Sequence, residues 1–320
     1  TDLANNLVRA GMRVVQAMGV PTAPLDTEAD AIVVALKSRT IPKDEAIAQS
    51  LEALQWLQAQ GVEQIYFKYC STFDSTAEGN IGPVTDALMQ ALGTDFTIAT
   101  PAFPDNKRTV FKGYLFVGDV LLNESGMQNH PLTPMTDPNL VRVLQAQCRR
   151  KVGLIDYKTV SQGDAAIRAR IAALRADGVG LAVVDAVSND DLLRLAPALQ
   201  GLPLVTAGSG VARAAAAGIQ GAGSRAGLVL AGPGVPHSAP RSATRWPGRS
   251  SNFIAACACH MGVAGTFCSK NEAVEGCAGA SAGAASAWAR GAARAFSTAW
   301  RTAWCTSRLS RKRTSILVGC

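Results

Sequence analysis

The run Ala31-Ile32-Val33-Val34-Ala35-Leu36 is followed directly by Lys37-Ser38-Arg39. A continuous apolar run with β-branched residues is typical of a strand that is buried on both of its faces. Such strands occur mainly in parallel sheets that helices cover on both sides, and ligands bind where loops leave the carboxyl ends of these strands. The polar residues after the run are therefore candidates for a binding site.

The alternation of strands and helices continues along the chain. Further strands are predicted over 64–69, 96–99, 151–155, 180–185 and 202–206, and helices over 3–18, 44–59, 83–92, 163–176 and 190–199. The residues between 100 and 150 are interpreted as a long polar loop. This alternation predicts an α/β fold, in which a doubly wound parallel sheet has flanking helices.

The composition of the chain changes near residue 212. Of the 320 residues, 31 are Lys or Arg and 24 are Asp or Glu, and the net charge is +7. Residues 211–320 hold only two of those acidic residues, Glu272 and Glu275, but six of the eight cysteines. We therefore expect residues 1–211 to form one α/β domain, and residues 212–320 to be a poorly ordered or degraded region.

The first 211 residues have the profile of a cytoplasmic protein. They carry a slight acidic excess, and their cysteines are Cys70 and Cys148, which is usual in a reducing compartment. No apolar run reaches the length of about eighteen residues that a membrane-spanning helix needs. No secretory signal is recognised at the start. The chain lacks an initiating Met and begins within a predicted helix, which indicates a fragment.

Polar clusters follow several of the predicted strands. They are Lys37-Ser38-Arg39, residues 68–75 with residues 79–82, Asp105-Asn106-Lys107-Arg108, residues 185–190 and Gly208-Ser209-Gly210. Because the carboxyl ends of parallel strands share one edge, these side chains are expected to converge. Together they suit a small polyhydroxylated anion, with Arg39 or Arg108 holding a carboxylate. Taken singly, most of them are explained by solvated loops or helix caps.

Other patterns are less specific. The Gly208-Ser209-Gly210 turn could hold phosphate through backbone amides, but a plain tight turn explains it better. Cys70 is interpreted as a buried neighbour of the site. The cysteines at 257–277 match no standard zinc spacing, so no metal site is predicted. The basic cluster at 308–313 comes without a recognition motif, so specific binding of nucleic acid is not predicted.

Long runs in residues 1–211 resemble the four-carbon acid-sugar kinase family, and within it the 3-oxo-tetronate 4-kinases. These runs are residues 34–39, 65–76, 79–85, 111–135, 184–187 and 208–210. The resemblance implies an N-terminal α/β domain that binds a sugar acid and a C-terminal α/β domain that binds nucleotide. It also implies phosphorylation of the terminal hydroxyl of a 3-oxo-tetronate by ATP, with Mg²⁺.

The resemblance implies a role for each of the candidate residues at the strand ends. Asp74 is the expected catalytic carboxylate, which accepts the proton of the attacking hydroxyl. The expected contacts of the sugar acid are Lys37, Ser38, Arg39, Lys68, Ser71, Asn80 and Arg108. The expected partners are the sugar acid and ATP, without a membrane or a specific nucleic acid, and self-association is left open.

The resemblance stops in three places. Family members begin with a strand that ends in Asp-Asp-Phe-Thr-Gly, which this chain lacks, so we expect neighbouring strands to expose backbone groups. The strand predicted over 226–231 runs into Gly232, a weak candidate for nucleotide binding, without the family's Gly-Ser-Cys-Ser. The family's late Gly-Gly-Glu-Thr-Ser loop does not occur in residues 236–320.

The composition of residues 212–320 suggests an explanation at the level of the gene. Few acidic residues together with much Arg, Ala, Gly, Trp and Cys are what GC-rich coding sequence yields when it is read out of frame. We therefore expect a frameshift in or near the segment 211–235, and a kinase that is incomplete and weakly active or inactive. The alternative to a frameshift is a genuine divergent domain. The alternatives to the kinase are a non-catalytic sugar-acid-binding remnant and, third, a structural or nucleic-acid-binding role through the basic tail.

Overall fold

The computed structural model describes residues 2–62, 64–74, 76–219, 244–245 and 316–318. Strands make up two sheets in these ranges. The strands are β1 (Val14–Met18), β2 (Ala31–Ala35), β3 (Ile65–Lys68), β4 (Thr97–Thr100), β5 (Arg108–Phe111), β6 (Tyr114–Val117), β7 (Val120–Leu121), β8 (Lys151–Ile155), β9 (Val179–Val184), β10 (Leu204–Ala207), β11 (Thr244–Arg245) and β12 (Ile316–Val318).

The main sheet has the strand order β11-β1-β2-β12-β3-β10-β4-β9-β8. Neighbouring strands run parallel, except that β11 pairs antiparallel with β1 at one edge. Every residue of β2, β3, β4, β9 and β10 is buried, so both faces of the sheet are covered. The predicted α/β fold with a parallel sheet is confirmed.

Helices form the layers that cover this sheet. They are α1 (Asp2–Arg9), α2 (Lys43–Ala59), α3 (Ile81–Leu92), α4 (Leu140–Gln147), α5 (Tyr157–Val160), α6 (Asp164–Ala176), α7 (Asn189–Leu195) and α8 (Ser209–Ile219). Helices α2, α3 and α4 pack in one layer, and α1, α8 and α7 in another. Over the described ranges, none of the helices combines the length and the apolar character needed to cross a bilayer.

The prediction of one helix over residues 3–18 is wrong. Helix α1 ends at Arg9, and Val14–Met18 forms strand β1, which pairs in parallel with all of β2. Gly11 has a φ of 87°, a left-handed conformation that ends the helix. The β-branched residues that follow favour an extended chain. The apolar spacing of the whole segment also fits one helical face, so the pattern did not separate the two elements.

The interpretation of residues 100–150 as a loop is also wrong. Strands β5, β6 and β7 form a small antiparallel sheet there, and helix α4 follows. Turns of 3-10 helix lie at Pro104–Asn106, Leu122–Glu124 and Met127–Asn129. Most residues of β5 and β6 are only half-buried. Strand β6 is an apolar run, Tyr114-Leu115-Phe116-Val117, but it is only four residues long and its neighbours β5 and β7 carry no such run of their own, so the segment was not recognised as a sheet.

The last third of the chain is described over helix α8 and the short strands β11 and β12. Helix α8 runs through the domain boundary predicted at residue 212. Strand β12 lies between β2 and β3 and pairs with both, so the predicted exposure of neighbouring strands is not found there. The strand predicted over 226–231, Gly232 and the cysteines at 257–277 lie outside the described residues. Residues 212–320 were predicted to be poorly ordered, and most of them also lie outside the described residues.

Candidate functional site

The carboxyl ends of β2 and β3 bring two polar segments to the same edge of the sheet. Val318 of β12 pairs with Ala35 at the end of β2 and with Lys68 at the end of β3. Adjacent strands lie about 4.8 Å apart, so β2 and β3 are separated by about 10 Å. The segments 37–39 and 69–74 therefore leave the sheet as near neighbours.

An ion pair joins these two segments. Arg39 Nη1 lies 3.0 Å from Asp74 Oδ2, and the side chain of Asp74 is 4% exposed while that of Arg39 is 30% exposed. Thr72 donates a hydrogen bond to the other carboxylate oxygen of Asp74. A carboxylate has about four acceptor sites, so Asp74 retains capacity to accept a further hydrogen bond. The buried anion holds a partly exposed guanidinium at the edge of the sheet.

A second charged group lies at the end of β3. Lys68 Nζ lies 3.3 Å from Asp2 Oδ1, and the Ser209 hydroxyl donates to Asp2 Oδ2 at 2.6 Å. Partial burial by itself would raise the pKa of Asp2, but Lys68 and Ser209 oppose it, and the pKa lies below its ordinary value. The contacts join the starts of α1 and α8 to β3. Asp2 was not predicted as a site residue, because nothing in its local sequence connects it with Lys68.

Asn80 holds the loop that carries Arg39. Its side-chain amide donates to the backbone oxygens of Ser38 and Ile41, at 2.8 and 2.9 Å. These bonds use the donors of the amide, so the side-chain oxygen is the part left for a ligand. Ser38 is fully buried, and its hydroxyl has no hydrogen-bond partner among the described residues. A buried hydroxyl of this kind is uncommon and suits a polar group of a ligand.

The segment that carries Asp74 contains a strained residue. Phe73 has a φ of 52°, which non-glycine residues rarely adopt. Its fully buried ring packs edge-to-face against Tyr69, with ring centroids 5.3 Å apart. The Tyr69 hydroxyl donates to the backbone oxygen of Thr206 in β10 at 3.1 Å. The two rings therefore hold the turn in place, and strained backbone of this kind clusters at functional sites.

The remaining predicted residues are placed differently. Lys37 is exposed and Ser71 is half-buried. Arg108 belongs to β5 of the small sheet, where its guanidinium donates to the backbone oxygen of Asn106. No described contact connects Arg108 with the pair formed by Arg39 and Asp74. The roles given to Lys37, Ser71 and Arg108 stay predictions, as do those of the other predicted site residues.

Asp185 is a buried carboxylate in one of the predicted polar clusters. It is fully buried and accepts hydrogen bonds from the backbone N–H groups of Lys112, Gly113 and Tyr157, at 2.7, 2.8 and 2.8 Å. Burial raises the pKa of Asp185, and the backbone hydrogen bonds oppose that shift. Asp185 therefore fastens the β5–β6 turn and the start of α5 to the end of β9.

The segment Gly208-Ser209-Gly210 begins a helix. Gly208 precedes α8, and Ser209 and Gly210 are its first residues. A Cβ on Gly210 would lie 2.4 Å from the backbone oxygen of Ala102, and one on Gly208 would lie 2.9 Å from that of Pro101. Close packing against the chain after β4 explains both glycines. Ser209 is the member of the segment that reaches the site, through its bond to Asp2.

Known proteins are similar in sequence to about two thirds of this chain. A family model described as the sugar-binding N-terminal domain matches residues 1–215. The 3-oxo-tetronate kinase of Burkholderia multivorans is 66% identical over 212 residues, which are 66% of this chain and 50% of that protein. The 3-oxo-tetronate kinase of Haemophilus influenzae is 56% identical over 221 residues, which are 69% of this chain and 54% of that protein. The chain spans about half the length of the curated relatives it matches.

Solved structures share the fold. A protein from Haemophilus influenzae superposes with a TM-score of 0.68 at 56% identity, over 69% of this chain and 53% of that one. A domain of unknown function from Bordetella bronchiseptica, a domain-swapped dimer with bound citrate, superposes with a TM-score of 0.58 at 30% identity, over 72% of this chain and 56% of that one. The match of residues 1–215, which agrees with the parallel sheet of the solved structures, shows that the chain belongs to the family described as the sugar-binding N-terminal domain.

Proposed function

We propose that the described domain binds the carboxylate of a four-carbon sugar acid at the carboxyl edge of its sheet. The observation that carries this proposal is a pair of cations, Arg39 and Lys68, each held by a carboxylate from an adjoining segment. Guanidinium and ammonium groups bind carboxylates through charge-assisted hydrogen bonds. The hydroxyl of Ser38 and the spare acceptor sites of Asp74 suit the hydroxyl groups of a sugar.

The known relatives support an acidic ligand. Those matched above are named 3-oxo-tetronate kinases, and the Bordetella bronchiseptica domain holds citrate, which is a carboxylic acid. Lys37, Ser71, the side-chain oxygen of Asn80 and Arg108 complete the proposed set of contacts.

Replacement of Arg39 tests the binding site. We expect Arg39→Gln to weaken the binding of a 3-oxo-tetronate by about tenfold to a hundredfold, because one charged hydrogen-bond donor is worth about 1.5–3 kcal/mol. Isothermal titration calorimetry measures the change. Arg168→Gln is the matched control, since Arg168 is exposed on α6 and pairs with Asp164. Equal affinities of the two variants would place the carboxylate elsewhere.

For the complete protein we propose phosphorylation of the terminal hydroxyl of a 3-oxo-tetronate by ATP, with Mg²⁺ as the metal. Asp74 would accept the proton of the attacking hydroxyl, since it retains acceptor sites beside Arg39. Phosphoryl transfer also requires groups that position phosphates and metal. Since the chain spans half of its relatives and lacks the Gly-Gly-Glu-Thr-Ser loop in residues 236–320, we propose weak or absent turnover by this chain. A cytoplasmic location accords with the few cysteines of residues 1–211.

A non-catalytic sugar-acid-binding protein is the second candidate function. It is favoured by a sugar-binding part that matches its family over residues 1–215, in a chain without that late phosphate loop. A coupled ADP-release assay with 3-oxo-tetronate, ATP and Mg²⁺ separates the two functions. ADP release that requires the sugar acid supports the kinase, and calorimetric binding without ADP release supports the second candidate. Absence of both binding and release would contradict both.

A further inference from the structure

Three polar side chains follow one another in the segment that leaves strand β3. They belong to Cys70, Thr72 and Asp74, at alternate positions of the chain. The Thr72 hydroxyl donates to Asp74 Oδ1, and Cys70 Sγ lies 2.9 Å from Thr72 Oγ1. Thr72 is 6% exposed, so its hydroxyl is largely shielded from water. The three groups form a chain of hydrogen bonds that ends on the carboxylate beside Arg39.

The number of hydrogens in these groups fixes the direction of donation. A threonine hydroxyl has one hydrogen, and Thr72 donates it to the carboxylate of Asp74. Its oxygen is therefore an acceptor toward Cys70, and the thiol of Cys70 is the donor. Donation by Cys70 in turn keeps the Thr72 hydrogen directed at Asp74. The order of donation is from Cys70 to Thr72 to Asp74.

This chain of hydrogen bonds fixes the plane of the Asp74 carboxylate. Arg39 Nη1 lies 3.0 Å from Oδ2, and Thr72 holds Oδ1. With a single partner a carboxylate turns readily about its last side-chain bond, whereas a partner on each oxygen gives its free lone pairs fixed directions. Because misaligned hydrogen bonds are much weaker, the plane determines how well Asp74 accepts a hydroxyl group.

We propose that Thr72 is a positioning residue that makes the sugar-acid site selective for hydroxylated acids, and that Cys70 orients its hydroxyl. The inference rests on the proposed function, in which Arg39 binds the carboxylate and Asp74 accepts a hydroxyl group of the same ligand. A site that hydrogen-bonds a ligand hydroxyl discriminates strongly against the analogue that lacks it. Arg39 therefore provides affinity for small carboxylates in general, and the chain from Cys70 to Asp74 provides the affinity for hydroxyl groups.

A pair of ligands tests this division. 3-Oxo-tetronate carries hydroxyl groups, and acetoacetate is the four-carbon 3-oxo acid without them. We expect Thr72→Val to weaken the binding of 3-oxo-tetronate by about tenfold, the low end for loss of one hydrogen bond to a charged group, and to leave that of acetoacetate within about twofold. Thr72→Ser keeps the hydroxyl and should restore the affinity for 3-oxo-tetronate. Isothermal titration calorimetry of the full chain measures both ligands.

Thr97→Val is the matched control. Thr97 is also buried and donates to the backbone oxygen of Leu204 at 2.8 Å, but it begins β4 and so lies at the opposite edge of the sheet. Its replacement should change neither affinity. Equal losses for the two ligands in Thr72→Val, or a loss that Thr72→Ser does not restore, would overturn the proposal, because a general disturbance of the site affects both ligands alike.

Cys70 provides an independent variant if Thr72→Val does not fold. The residue is half-buried, and alanine at this position leaves the Thr72 hydroxyl in place. We expect Cys70→Ala to weaken the binding of 3-oxo-tetronate by about twofold to threefold, as for loss of a weak neutral hydrogen bond, with acetoacetate unaffected. Cys70→Ser keeps a donor and should retain the affinity. Equal affinities of Cys70→Ala and the unchanged chain would refute the order of donation.

Crystal structures without ligand separate this inference from the proposed function. In Thr72→Ser the Asp74 carboxylate should keep its plane and its contact with Arg39, whereas in Thr72→Val the plane should turn. An unturned carboxylate in Thr72→Val would overturn the positioning role, whether or not a sugar acid binds. Weaker 3-oxo-tetronate binding in Arg39→Gln, with full binding in Thr72→Val, would leave the proposed function standing and refute this inference alone.

Discussion

At the scale of single residues, Asp185 shows how a polar side chain near a site can serve the fold. Its carboxylate accepts hydrogen bonds from the backbone of Lys112, Gly113 and Tyr157. We expect Asp185→Ala to lower the free energy of unfolding by about 3 kcal/mol or more, because each buried N–H group without a partner costs about 1–3 kcal/mol. Urea denaturation measures the loss. Asp164→Ala, which removes an exposed ion pair with Arg168, should cost under about 1 kcal/mol.

The raised pKa of Asp185 gives a prediction about pH. The folded state binds the proton of this group more tightly than the unfolded state does, because burial disfavours the carboxylate. Its contribution to stability is therefore present below the pKa of the unfolded chain and is lost as the pH rises through the higher folded value. As the pH rises from 3 to 7, the unchanged protein loses the contribution of Asp185, whereas Asp185→Asn has no carboxyl group to ionise at this position. We therefore expect the free energy of unfolding of Asp185→Asn to change more favourably over this range than that of the unchanged protein. Parallel pH dependences of the two urea midpoints would contradict this prediction.

The candidate site joins residues that the sequence indicated with residues that it did not. Arg39, Lys68 and Asp74 were predicted from their positions after buried strands, and they lie at one edge of the sheet. Asp2 and Ser209 complete the group around Lys68, although they are far apart in the chain. Strand ends are visible in a sequence because apolar runs stop there. Contacts between the starts of two helices and a strand depend on packing.

At the scale of elements, the boundary between α1 and β1 depends on one glycine. Gly11 has a φ of 87°, which an L-residue with a Cβ adopts only with strain. We expect Gly11→Ala to lower the free energy of unfolding by about 1–2 kcal/mol, and Gly11→Asn to cost less, since Asn tolerates the left-handed region better than Ala does. Thermal or urea denaturation of the two variants measures the difference. Equal losses of stability in the two variants would show that the left-handed conformation of residue 11 does not determine the cost of the substitution.

The small sheet of β5, β6 and β7 illustrates a different limit of sequence patterns. Its strands are two to four residues long and mostly half-buried, so the apolar run Tyr114–Val117 of β6 is too short by itself to indicate a sheet. Their place is set by Asp185 and by the pairing of Val110 with Ala186 at the end of β9. Such strands are stabilised by their contacts with a larger sheet, and local sequence does not reveal those contacts.

At the scale of the whole molecule, the family model matches residues 1–215, and the relatives described above match about two thirds of the chain. A chimera tests whether the first part is competent. We expect residues 1–211, joined to the segments of the Burkholderia multivorans kinase that lie outside the matched region, to release ADP in the presence of 3-oxo-tetronate. The kinase segments without residues 1–211 are the control. An inactive but folded chimera would show that the sugar-binding part itself has lost function.

The sequence by itself determined the parallel α/β sheet, because buried strands require long apolar runs and these runs alternate with amphipathic helices. It also indicated Arg39, Lys68 and Asp74 as candidates, because Lys68 ends such a run and Arg39 and Asp74 lie in the polar segments that follow such runs. Only the tertiary structure decided that residues 3–18 divide into a helix and a strand, since one spacing of apolar residues fits both. The tertiary structure also decided that β12 enters the sheet between β2 and β3. Strand pairing over such a sequence separation depends on which backbone groups remain unpaired after the rest of the sheet has formed, and no local pattern carries that information.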